Sequence, residues 1–285
     1  MPGFFLTMGK RIYIQGYEGS FHEVAAIEFF NEPVSIIPCD TFREVVRLAA
    51  DQGKSEGGLM AIENSIAGSI LPNYALLQKS GLTIAGEIYL QINQQLMANP
   101  GVNLEAITEV HSHPMALLQC MDYLEKNPGW KLVETEDTAL SAKQIHRHQN
   151  RHVAVIASNR AAELYSLQVL GKNIQSNKNN YTRFLYLRPG NVKDHPEASN
   201  KASINFHTDH SRGSLARVLT KIAEGAINLS KLQSLPIPGA EWEYSFHADM
   251  EFDEPQQLQR VLENIKPVTQ ALTVLGIYRK GRTIK

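Results

Sequence analysis

Cysteine is scarce in this chain: Cys39 and Cys120 are the only two in 285 residues. Two are too few for a disulfide framework and fit a reducing compartment. No apolar run approaches the roughly 18 residues that a membrane span needs. Residues 1–10 have neither the basic start nor the apolar length of a signal peptide, so a cytoplasmic protein with no membrane partner is expected. Charge of one sign is missing too. The formal net charge is −1, which gives nucleic acid little to hold. Histidine is present, but His111, His113, His146, His148 and His152 show neither H-E-x-x-H nor cysteine-paired spacing, so no metal is expected. The glycine-rich turn Gly16-Tyr17-Glu18-Gly19-Ser20 lacks the dinucleotide and phosphate-loop fingerprints, which excludes a nucleotide fold.

What is there is an ordinary globular composition, 43% hydrophobic and 20% charged, with enough length for two domains. Arg11-Ile12-Tyr13-Ile14-Gln15 reads as a strand, and Ser20 as the N-cap of a helix with Glu23 three residues on. Such a turn offers backbone N–H groups and a positive dipole end to an anion. Further strands are expected at 34–37, 58–62, 82–92, 107–111, 130–133 and 153–157. Helical patterns start at Thr41, Pro114, Asp137 and Asn159. The alternation predicts a mixed, mostly parallel α/β domain. Asn64 and Ser65 follow the apolar strand 58–62, at the carboxyl end where open α/β sheets bind ligands. Cys120 and His113 are weighed as a thiol–imidazole pair, but they stand seven residues apart with no third member to orient the imidazole. A buried, inert thiol is the simpler reading.

Residues 190–200 are polar and aperiodic, a linker. Beyond them the pattern changes. Ile204 and Phe206 alternate in a strand, Gly213-Ser214 opens a helix bearing Leu215, Val218, Leu219 and Ile222, and a strand follows at 226–229. Trp242, Tyr244, Phe246, Ala248 and Met250 alternate with polar residues, and a helix and a last strand follow. The order βαββαβ is ferredoxin-like.

The most chemically loaded stretch is Asn180-Tyr181-Thr182-Arg183-Phe184, a hydroxyl beside a permanent cation after the turn-forming cluster 177–180. Neighbours on a strand face opposite ways, so Thr182 and Arg183 can share a ligand only at a strand end or bend.

With Gly16-Tyr17-Glu18-Gly19-Ser20-Phe21, Ile62-Glu63-Asn64-Ser65, Gly68-Ser69, Gly86-Glu87, Ser112-His113-Pro114, Gln119-Cys120, Asp137-Thr138-Ala139, Gly213-Ser214-Leu215, Ile227-Asn228-Leu229 and Trp242-Glu243-Tyr244, that stretch forms an ordered series through nearly the whole chain. The series resembles prephenate dehydratase with a C-terminal ACT regulatory domain. The resemblance implies a catalytic domain at 9–189 built of two α/β lobes, similar to type II periplasmic-binding folds, with the site between them. Lobe 1 would hold about 9–86 and 170–189, and lobe 2 about 87–169. A linker at 190–200 and an ACT domain at 201–285 complete the expected plan.

It further implies loss of CO2 and water from prephenate to give phenylpyruvate, in phenylalanine biosynthesis, with no cofactor. Thr182 matches the family's essential threonine and would protonate the departing hydroxyl, with Asn64 and Gln119 as catalytic companions. Arg183 would clamp a carboxylate. Ser112, Ser20, Ser65 and Phe184 would complete the substrate contacts. His22 and Met115 depart from the family's usual residues near the inferred cleft. Phenylalanine feedback would use Gly213, Ser214, Leu215, Asn228, Gln233, Ser234, Leu235 and Pro236, where Gln233 and Leu235 replace the charges of the usual motif. A homodimer or homotetramer is the expected assembly. Arogenate as substrate, and a non-catalytic amino-acid-sensing protein, are the alternatives.

Overall fold

The computed structural model describes residues 10–32, 34–51, 56–237, 239–240 and 243–285. Its first sheet grows from β1 (Arg11–Gln15), whose Ile12 and Ile14 point to one face and Tyr13 to the other. A strand apolar on both faces must be covered on both. The coverings are α1 (Phe21–Phe30), reached through the Ser20 cap, and, beyond β2 (Ser35–Cys39), α2 (Phe42–Ala49), capped by Thr41. Then come β3 (Gly57–Asn64), β4 (Gly68–Ser69), α3 (Leu71–Lys79) and β5 (Thr83–Gln91).

The chain leaves this sheet after β5 and builds a second one. In order these are β6 (Gln95–Ala98), β7 (Glu109–Ser112), α4 (Pro114–Gln119), α5 (Met121–Leu124), β8 (Lys131–Glu134), α6 (Thr138–His148), β9 (Val153–Ala157), α7 (Asn159–Leu164) and β10 (Gln168–Gly171). It returns as β11 (Tyr181–Arg188), which inserts antiparallel between β3 and β5. The first sheet is therefore parallel through β2-β1-β3 and antiparallel through β3-β11-β5. Half of it departs from the mostly parallel expectation, because β11 arrives from the other lobe. The second sheet runs β10-β6-β9-β7-β8.

The expected crossing near Gly86 is wrong. Gly86 lies inside β5, opposite Tyr186, and a Cβ there would sit 2.7 Å from the Phe29 ring. That glycine makes room for an aromatic ring. The crossing comes at residues 92–94, once the apolar run of β5 is spent.

The third sheet collects β12 (Lys201–His207), α8 (Ser214–Glu224), β13 (Asn228–Pro236), β14 (Tyr244–Glu251), α9 (Pro255–Ile265) and β15 (Ala271–Tyr278). The strand order β13-β14-β12-β15, all antiparallel, is that of a ferredoxin-like unit. Glu241 and Trp242, read as the start of β14, lie outside the described residues. One face of this sheet is covered by α8 and α9, burying Phe206, Val218, Ile222, Met250 and Val261. The other face lies on the first sheet, and Leu235, Leu275 and Tyr278 share one core with Tyr74, Leu77 and Ile84. The chain then adds β16 (Thr283–Ile284), parallel to β5, at the edge of the first sheet. Nothing in the two-residue strand announces this return.

Candidate active site

Asn64 ends β3 and Thr182 stands opposite it on β11. The carboxamide of Asn64 has a fixed orientation. Its Oδ1 accepts from the backbone N–H groups of Ile66 and Ala67, both at 2.9 Å. The Nδ2 side must therefore donate, and it does so to Thr182 Oγ1 at 3.0 Å, Asn180 Oδ1 at 2.7 Å and the Tyr181 carbonyl at 3.2 Å. Since Thr182 Oγ1 accepts, its own proton is directed elsewhere, and no acceptor takes it among the described residues. Asn64 thus turns a freely rotating hydroxyl into an aimed donor.

Asn180 carries this polarity to the second lobe. Its Nδ2 donates to Gln119 Oε1 at 3.0 Å, which leaves the Gln119 NH2 group as a free donor among the described residues. Gln119 closes α4, where the helix breaks at Cys120 before α5. Thr182, Asn64 and Gln119 are therefore brought together, through a residue assigned only to a turn in the sequence. Asn180 is fully buried, and its neighbour Ser65 pins the same corner: Ser65 Oγ donates to the Asn179 carbonyl and accepts from Tyr181 N.

The other expected substrate contacts fall differently. Ser65 is spent on that corner, and its N–H donates to the Tyr181 carbonyl. Ser20 caps α1 by accepting from Glu23 N, while the Gly19 N–H is taken by the Glu23 carboxylate and the Ser20 N–H by the Tyr17 carbonyl. The anion cradle expected at Gly19-Ser20 is thus occupied by the loop's own groups. Ser112 is wholly buried and donates to the Ile156 carbonyl at 2.6 Å. Phe184 is a core residue of the first sheet, its ring edge-on to His22 at 5.0 Å.

Arg183 is the largest correction. Regular alternation along β11 sends it away from Thr182, to the face covered by the third sheet. There it pairs with Glu87 at 2.6 Å and with Asp249, and donates to Tyr278 Oη at 3.2 Å. Burial alone would pull its guanidinium down, but Asp249, Tyr278 and Glu87 raise it well above the usual value. Its guanidinium is taken by these partners, on the side away from Thr182.

Where the lobes meet, Ser158 donates to the Gly19 carbonyl at 2.5 Å, Tyr165 to the Glu18 carbonyl at 2.9 Å, and Arg160 pairs with Glu23 at 3.2 Å. Asp137 caps α6 by accepting from Leu140 N. Its carboxylate reaches across to Gly16, whose positive φ of 91° and missing side chain leave the room; a Cβ there would sit 2.8 Å from Asp137 Oδ2. Burial raises the Asp137 pKa, and the Leu140 and Ala139 N–H groups, then nearby His113, lower it in part. No role was assigned to Asp137 from sequence. Its place opposite Gly16 follows only from the packing of the lobes.

Burial pushes the Cys120 thiol up to about 12 and the Cys39 thiol up to about 11, so neither is a ready nucleophile. Among the described residues no group of three or more His, Cys, Asp or Glu side chains is placed to hold a metal, and no helix is long and apolar enough to cross a membrane.

The residues expected to hold an effector split by alternation. Gln233 and Leu235 share the face of β13 that carries Lys231, turned to the first sheet, and Leu235 is buried there. Neither faces α8. Asn228 and Ser234 are exposed, and Pro236 ends the strand. Gly213 begins α8 with φ 77°, Ser214 donates to Thr208 Oγ1 at 3.3 Å, and Leu215 packs on the α8–α9 core.

A sequence model described as prephenate dehydratase matches residues 12–230. The bifunctional chorismate mutase/prephenate dehydratase of Aquifex aeolicus (strain VF5) is 35% identical over 280 residues, which is 97% of this chain and 76% of that protein. Among solved structures, GqqA, described as a novel type of quorum quenching acylase, aligns with a TM-score of 0.86 at 27% identity, covering 95% of this chain and 98% of that one. The prephenate dehydratase of Arthrobacter aurescens in complex with L-Phe aligns with a TM-score of 0.80 at 26% identity, covering 95% and 90%.

Proposed function

The chain belongs to the prephenate dehydratase family, and from that premise we propose how its residues divide the chemistry. It is an enzyme, a decarboxylating dehydratase that converts prephenate into phenylpyruvate. The bond to the ring carboxylate breaks, CO2 leaves, and its electron pair enters the ring. The ring C–O bond then breaks, and the departing hydroxide takes one proton to become water. Aromatisation drives the sequence, so the protein's task is orientation and proton delivery.

Thr182 is the donor to the leaving hydroxyl, and Asn64 is the residue that aims it. The single observation that carries this reading is that Asn64, locked by two backbone N–H groups, makes Thr182 Oγ1 an acceptor and leaves its proton without an acceptor among the described residues. Gln119 presents its free NH2 group to the substrate from the other lobe, tied to Thr182 through Asn180 and Asn64. With Arg183 turned away, the substrate's negative charge is met by these amide donors. An acylase reading finds no support here, since Thr182 Oγ1 has no imidazole or carboxylate on it among the described residues, and Cys120 is buried.

Residues 9–189 form the catalytic part and 201–285 an ACT regulatory domain joined by the linker 190–200. The ferredoxin-like strand order of the third sheet and the L-Phe complex of the Arthrobacter aurescens relative support L-phenylalanine as effector. Its seat is the helix-facing side of β13 with the start of α8, where Ser234, Gly213, Ser214 and Leu215 lie, with Asn228 as the first residue of the strand. Gln233 and Leu235 act from the opposite face. A cytoplasmic location fits the two free cysteines, and a homodimer or homotetramer is the assembly we assign.

Incubation with prephenate, following phenylpyruvate, tests the enzyme reading; a flat trace from folded protein would overturn it. Arogenate in the same assay discriminates the amine-bearing substrate. Calorimetry with L-phenylalanine tests the effector, and no heat at millimolar ligand would leave the third sheet as scaffold.

A further inference from the structure

Two neighbouring strands carry the proposed chemistry, and both are held from behind. On β3, Asn64 and Glu63 point to opposite sides, and on β11 so do Thr182 and Arg183. Glu63 stands across from Arg183, as Asn64 stands across from Thr182. Behind them lies the third sheet, where Lys231 on β13 stands across from Asp249 on β14. Lys231 pairs with Glu63, and Asp249 with Arg183. The four charges form a square of alternating sign between the two sheets.

The two pairs are unlike. Arg183 and Asp249 belong to a buried cluster, in which Ser203 donates to Asp249 at 2.5 Å and Lys201 pairs with Glu87 at 2.9 Å. The Lys231–Glu63 pair is partly exposed, with side chains 17% and 29% accessible, and Lys231 also donates to Ser69 Oγ at 2.8 Å on β4. A partly exposed pair adds little to stability. Both strands of this pair are also irregular where it forms. On β3 the pairing skips Ile62, and on β13 it skips Ser230, the residue before Lys231. Bulges re-aim side chains and loosen the ladder locally.

We infer that the Lys231–Glu63 pair is the link by which a ligand seated on β13 acts on the Asn64–Thr182 hydrogen bond. The inference rests on the effector reading above. Lys231 lies on β13 between Asn228 and Ser234, the two exposed residues of the proposed seat. A ligand that draws β13 toward α8 moves Lys231 with it. Glu63 follows its partner, and Asn64, the next residue on β3, shifts against Thr182. The Arg183–Asp249 cluster holds β11 fixed, so the displacement appears between the two strands.

The test compares the full-length wild type with Lys231→Met, Lys231→Arg and Glu63→Gln, using prephenate as substrate and L-phenylalanine as probe. Melting temperature and calorimetric L-phenylalanine affinity establish that each variant folds and binds. Lys231→Met and Glu63→Gln are expected to keep kcat and KM within about twofold and to bind L-phenylalanine as the wild type does. Their inhibition should weaken by roughly fivefold or more, the lower end of ordinary coupling factors. Lys231→Arg keeps the pair and should keep the inhibition. The double variant Lys231→Met with Glu63→Gln should be no less sensitive than either single one. Wild-type inhibition with undiminished inhibition in Lys231→Met overturns the link and leaves the effector reading intact. Loss of basal turnover in Lys231→Met also overturns it, because the pair then supports catalysis itself. A wild type that L-phenylalanine neither binds nor inhibits removes the effector reading and the link together.

Discussion

Replacing Thr182 with valine separates its chemical role from its structural one. Valine keeps the branched shape that a strand favours and removes only the hydroxyl. The structural loss is one partly buried hydrogen bond, worth about 1 kcal/mol, and the partner is not stranded. Asn64 Nδ2 keeps Asn180 Oδ1 at 2.7 Å and the Tyr181 carbonyl at 3.2 Å. Unfolding free energy should therefore fall by no more than about 1 kcal/mol. Turnover is another matter. A pre-organised donor to a developing oxyanion contributes about 2.7–4 kcal/mol, so kcat should fall roughly 100- to 1,000-fold. The assay is phenylpyruvate formation at saturating prephenate, beside a melting curve on the same preparation. A variant within about tenfold of wild-type kcat would show that the proton comes from elsewhere. A large loss of stability would show that the hydroxyl matters mainly to the fold.

Asn64→Asp keeps the two backbone contacts from Ile66 and Ala67 but cannot donate to Thr182 or Asn180, and it sets a negative charge toward an anionic substrate. Its kcat/KM should fall by roughly a hundredfold or more, and wild-type kinetics would refute the aiming role. Burial lowers the His22 imidazole to about 4, and its Nε2 has no partner among the described residues. The unfolded chain takes this proton near pH 6.5, before the fold does, so stability is complete above that pH and declines as pH falls toward 4. The loss is at most about 3 kcal/mol. His22→Leu should flatten that decline in denaturant midpoints at pH 7 and 4.5, and an equal decline in both proteins would refute it. Gly86→Ala pushes a methyl against Phe29, itself hemmed by Phe30 at 4.9 Å and Tyr186 at 5.2 Å. We expect about 1–3 kcal/mol of destabilisation by calorimetry; an unchanged melting temperature would show that the ring moves freely.

Local rules made much of this molecule legible. Ser20, Thr41, Asp137 and Pro114 marked helix starts that the structure keeps, because capping is decided within four residues. The βαββαβ order could be read because each of its elements has its own period. What stayed hidden depends on distant chain. Asn180 reads as a turn former until the second lobe buries it against Gln119, 61 residues away. Asp249, one partner of Arg183, lies 66 residues on, in another sheet, so no local pattern connects them. Short β6 and β10 have no pattern of their own, and they become strands by pairing with each other and, for β6, with β9 in the second lobe. The alternation rule did carry the right warning. Thr182 and Arg183 were adjacent and chemically rich, yet a regular strand parts them, and β11 is regular through both residues.

That separation makes Arg183 a structural charge, and its energetics can be checked directly. The buried cluster holds two cations, Arg183 and Lys201, and two anions, Glu87 and Asp249, with side chains at most 4% accessible. Burial would raise the Asp249 carboxyl, but Arg183 and then His247 hold it well below the usual range. Removing one member leaves an unbalanced charge in a dry interior, at about 3–5 kcal/mol. Asp249→Leu should show this loss in equilibrium unfolding, and so should Arg183→Met. The double variant removes one charge of each sign and restores balance, so its loss should be well below the sum of the two. Additive losses would mean that water or relaxation already compensates each charge singly. A double variant less stable than that sum would mean that the pair's hydrogen bonds, to Tyr278 and Ser203 among others, outweigh its desolvation.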